Sequence, residues 1–568
     1  MKKTNKTSEK KGPLYNLLKK DVKEFNGIIL SLVCIGILLG AGLLSYKITN
    51  SYALFTDSIT GEKTIEVTVN NNLDTSGANA PVLSENMIPV YYDETAEVWK
   101  KADSTNKSST YKWYNYDDKM WANSVTVSSA NRSTYLNANP GTTIPMDDIL
   151  TMQVWIPRYK YKVFNYNADG TVTSSPQEIE ITFEKGTETT GEISCTDSIS
   201  GTDGAASETC KLKSTGATCT DSTCNGKTYT HPAFTFGTEE LTGMWVGKFE
   251  VSAPIDSACY TSASEDNCNK TGITPLVKPD VMSYRYAQVG TFETNIMAMN
   301  DSGNIYGFAT TDDTHMMKNQ EWGVVAYLFY SRYGTCTDGR CLEIKINNSS
   351  ECYTGRSGGS IAGQTPINGT YTEQTSTEQY NSYGFYTYDG YLLNYGTNTK
   401  SSTKDMTKIA STTGNIYGIY DMSGGADDYV MGNMVSNDGT TMMSGNNTSN
   451  NSGYTGKVYD WEANSSYTGL YSYPENKYLD KYSYGTSNMQ RIRSKLGDGI
   501  KEVLYSGYIC LGGSSCYVPL GSGPWLTRGG LYYKSLSGIP RFPGMFSATF
   551  GYGSGSELGS TRVVILVS

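Results

Sequence analysis

The side chains with the most obvious capacity for acid–base or metal chemistry are three adjacent carboxylate pairs, Asp117/Asp118, Asp312/Asp313 and Asp427/Asp428, and two histidines, His231 and His315. General acid and base groups must converge on a substrate, whereas neighbours along a strand or loop usually point apart, so none of the pairs reads as a catalytic dyad. No CxxC occurs and the two histidines stand 84 positions apart, which argues against zinc. Each histidine then reads as a structural hydrogen-bonding residue. Gly226-Lys227-Thr228 lacks the preceding glycine of a phosphate loop and reads as a turn. There is no serine elbow. The inventory points to a protein that is not an enzyme.

Cysteine is the other reactive type. Of twelve, Cys34 lies in an apolar stretch, while Cys219/Cys224, Cys259/Cys268, Cys336/Cys341 and Cys510/Cys516 flank short turns rich in Gly, Ser, Asp and Asn, where local disulfides could form. Cys195, Cys210 and Cys352 remain. Their pairing is open, with Cys352 as a free thiol, a partner for Cys195 or Cys210, or an intermolecular link.

The elements that would position such groups belong to an unusual composition: 45 Tyr, 59 Gly and only 18% charged residues. It reads as loop-rich extracellular protein. The net charge is −10, and the Lys-rich first 26 residues are themselves positive, so the body is more acidic still. An acidic body with no basic face argues against nucleic acid as a partner. Residues 27–46, GIILSLVCIGILLGAGLLSY, are uncharged and apolar over about the length that crosses a hydrocarbon core of roughly 30 Å. The expected layout is a cytoplasmic basic segment (1–26), a transmembrane signal-anchor (27–46) and a linker with a short strand (47–85). The C-terminal part is expected outside a single-pass cell membrane.

Aromatic and β-branched residues at period two from 86 to 150 predict a small β-rich unit packed on the next domain. Beyond it, apolar runs are short and helices scarce. The best helix candidate is MMKNQEWGVVAYLFYSRYG, where Trp322, Val325, Ala326, Phe329 and Tyr330 share a face, and a shorter one is expected near 295–300.

Six segments, in order, carry a resemblance: VWIPRYKYK (154–162), MWVGKFEVS (244–252), KNQEWGVVAYL (318–328), GNIYGIYDMSGGADDYVMG (414–432), WLTRGGLYY (525–533) and STRVVILVS (560–568). Together they resemble the formylglycine-generating-enzyme, or sulfatase-modifying-factor, family. The resemblance implies an α+β, loop-rich C-type-lectin-like fold over 151–568. Arg528, Gly529, Gly530 and Arg562 would then be scaffold residues: the glycines allow positive φ, and the arginines bridge carbonyls. The oxidising members carry cysteines shortly after the Arg-Gly-Gly turn, and this sequence has none beyond Cys516, so the resemblance implies a catalytically silent member. Asp428 falls where calcium-binding relatives have a carboxylate, which implies a possible calcium ligand. The short stretch SYALFTDSITGEKTIEVTV (51–69) resembles the start of camelysin-like biofilm-fibre proteins.

Between the two arginines, large side chains interleave with Gly and Ser as in a paratope, where rigid aromatics give contact area at low entropic cost. Within this face (528–562), Tyr532, Lys534, Leu536, Ile539, Met545, Ser547, Thr549, Tyr552, Ser554 and Ser556 are expected exposed and ligand-binding, with Phe546 and Phe550 in the core. The arrangement also resembles the variable regions of proteins diversified by retroelements. The leading expectation is a membrane-anchored bacterial surface protein displaying a binding or adhesion domain to an extracellular protein or glycan. The alternatives are a secreted formylglycine-generating oxidoreductase acting on a peptide cysteine, and a structural matrix component.

Overall fold

The computed structural model describes residues 74–106, 109–166, 178–279, 281–338, 340–341, 411–446, 451–460, 465–486, 492–503, 521–530 and 545–568. The basic segment, residues 27–46 and the stretch 51–69 lie outside the described residues, as do Cys352, Cys510 and Cys516. Among the described residues, no helix is long and apolar enough to cross a membrane.

The architecture is mixed α and β, with few short helices, several small sheets and long connecting loops. The largest sheet has seven antiparallel strands in the spatial order Asp313–Met316, Val563–Leu566, Gly243–Gly247, Ile149–Pro157, Asn123–Val127, Ile88–Asp93 and Val98–Lys101. Its central strands are buried at nearly every position, so the sheet is covered on both faces and reads as continuous apolar runs. Trp155 and Trp245 are register partners and meet edge to face at 5.3 Å. Gly243 admits this crossing, since a Cβ there would stand 2.4 Å from the Trp155 ring.

The segment 86–150 does not form a unit of its own. Its strands Ile88–Asp93, Val98–Lys101 and Asn123–Val127 extend the same sheet from Ile149–Pro157, and Trp113 stacks on Trp245 at 6.2 Å. The sheet thus runs unbroken across residue 150. The strand pairing that a 65-residue β unit lacks internally is supplied by its neighbour, within one compact unit spanning 72–568.

A second sheet orders Asp480–Tyr482, Asp427–Met434, Trp525–Arg528 and Ala548–Gly551, with Gly559–Thr561 also pairing parallel to Asp427–Met434. Gly559–Thr561 runs through Arg562 directly into Val563–Leu566, so one short stretch of chain belongs to both sheets. The helix Asn319–Phe329 packs against Asp427–Met434. Rather than one apolar face it is buried on nearly all sides, and Gly323 lies so close to the Gly497 carbonyl that a Cβ would fall 1.9 Å from its oxygen. The shorter helix spans Val289–Met297 and continues as a tighter turn to Asn300.

Four disulfides are present among the described residues: Cys195–Cys210, Cys219–Cys224, Cys259–Cys268 and Cys336–Cys341. The first closes the alternatives left open for Cys195 and Cys210: they face each other across the hairpin formed by Ile193–Asp197 and Glu208–Leu212.

Candidate functional site

The C-terminal face begins at two buried arginines. Arg528 donates to the carbonyls of Asp498 (3.1 Å) and Gly499 (3.4 Å) and to Asn319 Oδ1 (3.1 Å), while Arg562 donates to the carbonyls of Gly247 (2.9 Å) and Tyr420 (2.8 Å). Both tie loops from distant parts of the chain to a strand end, which no apolar side chain could do. Gly529 and Gly530 adopt φ of +79° and +71°, and Gly529 passes close to the Trp322 ring.

Tyr532, Lys534, Leu536 and Ile539 lie outside the described residues. Met545, Ser547 and Thr549 do not meet the expectation of exposure, being 1%, 7% and 7% exposed. The reason is local. The Met545 carbonyl accepts the Trp322 indole N–H at 2.7 Å, Gly529 N–H donates to the Ser547 carbonyl, and Thr549 pairs with Thr527 in a covered sheet. Phe546 is buried and Phe550 only partly so. Tyr552, Ser554 and Ser556 are half-exposed, and Tyr552 meets Phe550 edge to face at 5.6 Å.

Four loops converge here, tied through their backbones. Val289 N–H donates to the Gly553 carbonyl (3.0 Å), Tyr286 to Ser556 (2.8 Å), Gly290 to Ser452 (2.9 Å) and Tyr471 to Gly453 (3.1 Å). The result brings loop 286–290 against 452–453 and 553–556 and the 469–471 turn against Gly453, with Tyr286, Gln288, Tyr471 and Tyr552 each partly exposed. Tyr473 stacks on buried Tyr454 (5.3 Å, 11°), which stacks on Trp525 (5.7 Å, 22°), so a column of rings runs from the face into the core. Leu470, next to Tyr471, is 82% exposed. Tyr286 holds a positive φ of 62°, a conformation that a bulky residue adopts only where its surroundings impose it. Sequence reasoning missed loops 286–290, 451–454 and 469–473. The only signal was their Tyr, Gly and Ser content, which the whole chain shares.

Beneath this face lies a buried carboxylate group: Glu250, Asp421, Asp427 and Asp428, none more than 3% exposed. The loop reaches it through positive φ at Asp421, Gly424 and Gly425. Glu250 accepts from Ala426 N–H and the Ser283 hydroxyl. Neither oxygen of Asp428 accepts a close hydrogen bond, and an Arg562 guanidinium nitrogen stands 3.5 Å away. Burial pushes the Asp428 carboxyl up to about 7, with Arg562 opposing and Asp421 and Asp427 adding to the rise. Burial, then the Asp428 charge, also push Glu250 well above the carboxylate range. No three of these carboxylates converge on one point, so they do not form a carboxylate cage; Asp428 alone has both oxygens without a close donor, with the Arg562 guanidinium beside it.

The two histidines differ. His231 is buried among Tyr159, Tyr161, Phe234 and Tyr327, accepts Ala233 N–H at Nδ1 (3.3 Å), and is pushed down to about 3 by burial. His315 is clamped between Asp313 (Nδ1, 2.7 Å) and Glu321 (Nε2, 3.0 Å); burial opposes its charge, but the two carboxylates outweigh it and lift it to about 9. Asp312 turns the other way, accepting from the Ser84 hydroxyl at 2.6 Å, so this adjacent pair does point apart.

Compared with known proteins, the sequence matches no family model, and no curated protein is significantly similar to it.

Proposed function

We propose that this chain is a bacterial surface protein held to the membrane through residues 27–46, whose C-terminal part is a catalytically silent, C-type-lectin-like frame displaying a face for an extracellular protein or glycan. The observation that carries the reading is the convergence of loops 286–290, 451–454, 469–473 and 552–556. Aromatic side chains, one large apolar residue and small polar residues share a surface whose loops are cross-tied by backbone hydrogen bonds, so little ordering entropy remains to be lost on contact. Four disulfides among the described residues suit an oxidising exterior.

The test is a binding screen of the secreted part against a glycan array and a panel of extracellular proteins. Substituting Tyr286 and Tyr552 together by Ala should weaken a confirmed binder at least tenfold while the melting temperature stays put. An unchanged affinity would remove this face from consideration.

Calcium is the ion that Asp428 would take, together with backbone carbonyls of the loop 421–428, and its role would be to fix that loop; Arg562 is the competing charge. Calcium should raise the melting temperature more at pH 8 than at pH 6, because the Asp428 carboxyl, at about 7, must first lose its proton. Asp428→Asn should not respond. Equal calcium shifts in both proteins would rule Asp428 out.

A further inference from the structure

A crevice of about 790 Å³ lies between the hairpin Thr235–Phe236/Glu239–Glu240, the turn at 474–477 and the end of the strand Val563–Leu566. That size suits a small ligand. The geometry points to this crevice as a binding site for small molecules carrying a primary ammonium group, with Asp313 as the anchoring carboxylate.

Asp313 is fixed from behind on both oxygens. Its Oδ1 faces His315 Nδ1 at 2.7 Å, and its Oδ2 accepts the Tyr478 hydroxyl at 2.7 Å. Its side chain is still 22% exposed toward the crevice, and each carboxylate oxygen has a second lone pair to offer. His315 cannot swing outward, because Glu321 holds its other nitrogen and the Phe236 ring stacks on it at 5.0 Å. The carboxylate is therefore presented in one orientation. The hydrogen bond from His315 also keeps it below the usual carboxylate range despite burial, so it is ionised at neutral pH.

The remaining charges in the wall favour a cation. Glu239 and Glu475 line the mouth, against one lysine. That lysine shows what the crevice accommodates: the Lys477 ammonium lies 4.8 Å from the Tyr478 ring centroid and 5.4 Å from that of Phe236, with Glu475 at 3.9 Å. Aromatic faces and carboxylates together form an ammonium environment. A ligand ammonium can sit between Asp313 and these rings, where only its charge and its hydrogen bonds, and no reaction, are needed.

The experiment is saturation-transfer NMR on the full-length chain, with 1,5-diaminopentane and glucosamine as probes and 1-pentanol and N-acetylglucosamine as their uncharged counterparts. Either amine should give transfer that its counterpart lacks, and which one does distinguishes a linear amine from an amino sugar. Asp313→Asn should weaken the bound amine at least tenfold. Because that change also disturbs His315, Thr238→Trp at the exposed rim serves as a second variant that fills the crevice and leaves Asp313 in place. Glu557→Gln, next to Ser556 and accepting the Tyr286 hydroxyl at 3.4 Å, should change nothing and so separates this site from the one proposed above. Absence of transfer to both amines, or transfer that survives Asp313→Asn and Thr238→Trp, would overturn the assignment.

Discussion

At the scale of single residues, burial of charge dominates. His315 is held at about 9 against an ordinary 6.5, and Glu293, whose Oε2 accepts the Met316 N–H, is pushed up to about 8 by burial, with the His315 charge opposing. Both folded-state values lie above the unfolded ones, so in both cases stability is fully present below the unfolded pKa and is lost as pH rises through the folded one. The window for Glu293 runs from about 4.5 to 8 and that for His315 from about 6.5 to 9. The melting temperature should accordingly be highest at mildly acidic pH and fall toward pH 9. His315→Gln should lower it throughout, by leaving Asp313 and Glu321 facing each other, and should flatten the slope between pH 7 and 9; scanning calorimetry across pH reads both effects, and an unaltered slope would show that His315 is not the group responsible. From sequence, His315 was legible as a hydrogen-bonding residue and nothing more, because its partners come from its own strand and from a helix that starts beyond it. The same limit explains Met545, Ser547 and Thr549. They alternate with Phe546, Ala548 and Phe550 in a stretch flanked by glycines, which looks like a contact surface, and only the folded sheet reveals that they are covered.

At the scale of elements, the helix Asn319–Phe329 is the clearest case of sequence and structure agreeing on existence and differing on environment. Its spacing predicts one apolar face, whereas burial on nearly all sides comes from backbone contact with 497–498, permitted by Gly323. Gly323→Ala would place a methyl inside the Gly497 carbonyl and should cost about 3 kcal/mol or more in urea denaturation. A cost below about 1 kcal/mol would mean that this helix and the 497–498 turn are not in contact. The strands of the large sheet were legible wherever β-branched and aromatic residues recur, as in Ile149–Pro157 and Val563–Leu566. Their order was not, since pairing between strands far apart in sequence leaves no local pattern. For the same reason the 86–150 strands read as a unit of their own although they complete another sheet's edge.

At the scale of the whole molecule, a loop-rich chain with little charge is held by many short elements and several covalent links. Cys195–Cys210 closes the longest loop of the four described disulfides, with a separation of 15 residues, and replacing both by Ser should cost about 3 kcal/mol, more than the same change at Cys219–Cys224. Chemical denaturation of the two double variants gives the comparison, and a reversed order would indicate that the unfolded chain is not what these links chiefly restrain. The stretch from Gly559 to Leu566 has a different consequence. It holds the last of the described strands in chain order, and it pairs inside the large sheet and also closes onto the smaller one. Neither sheet can be completed until translation has passed Leu566, so the polypeptide must remain open up to that point. A chain stalled earlier would show two bare strand edges, at Asp313–Met316 and Gly243–Gly247, that invite aggregation and mark it for degradation.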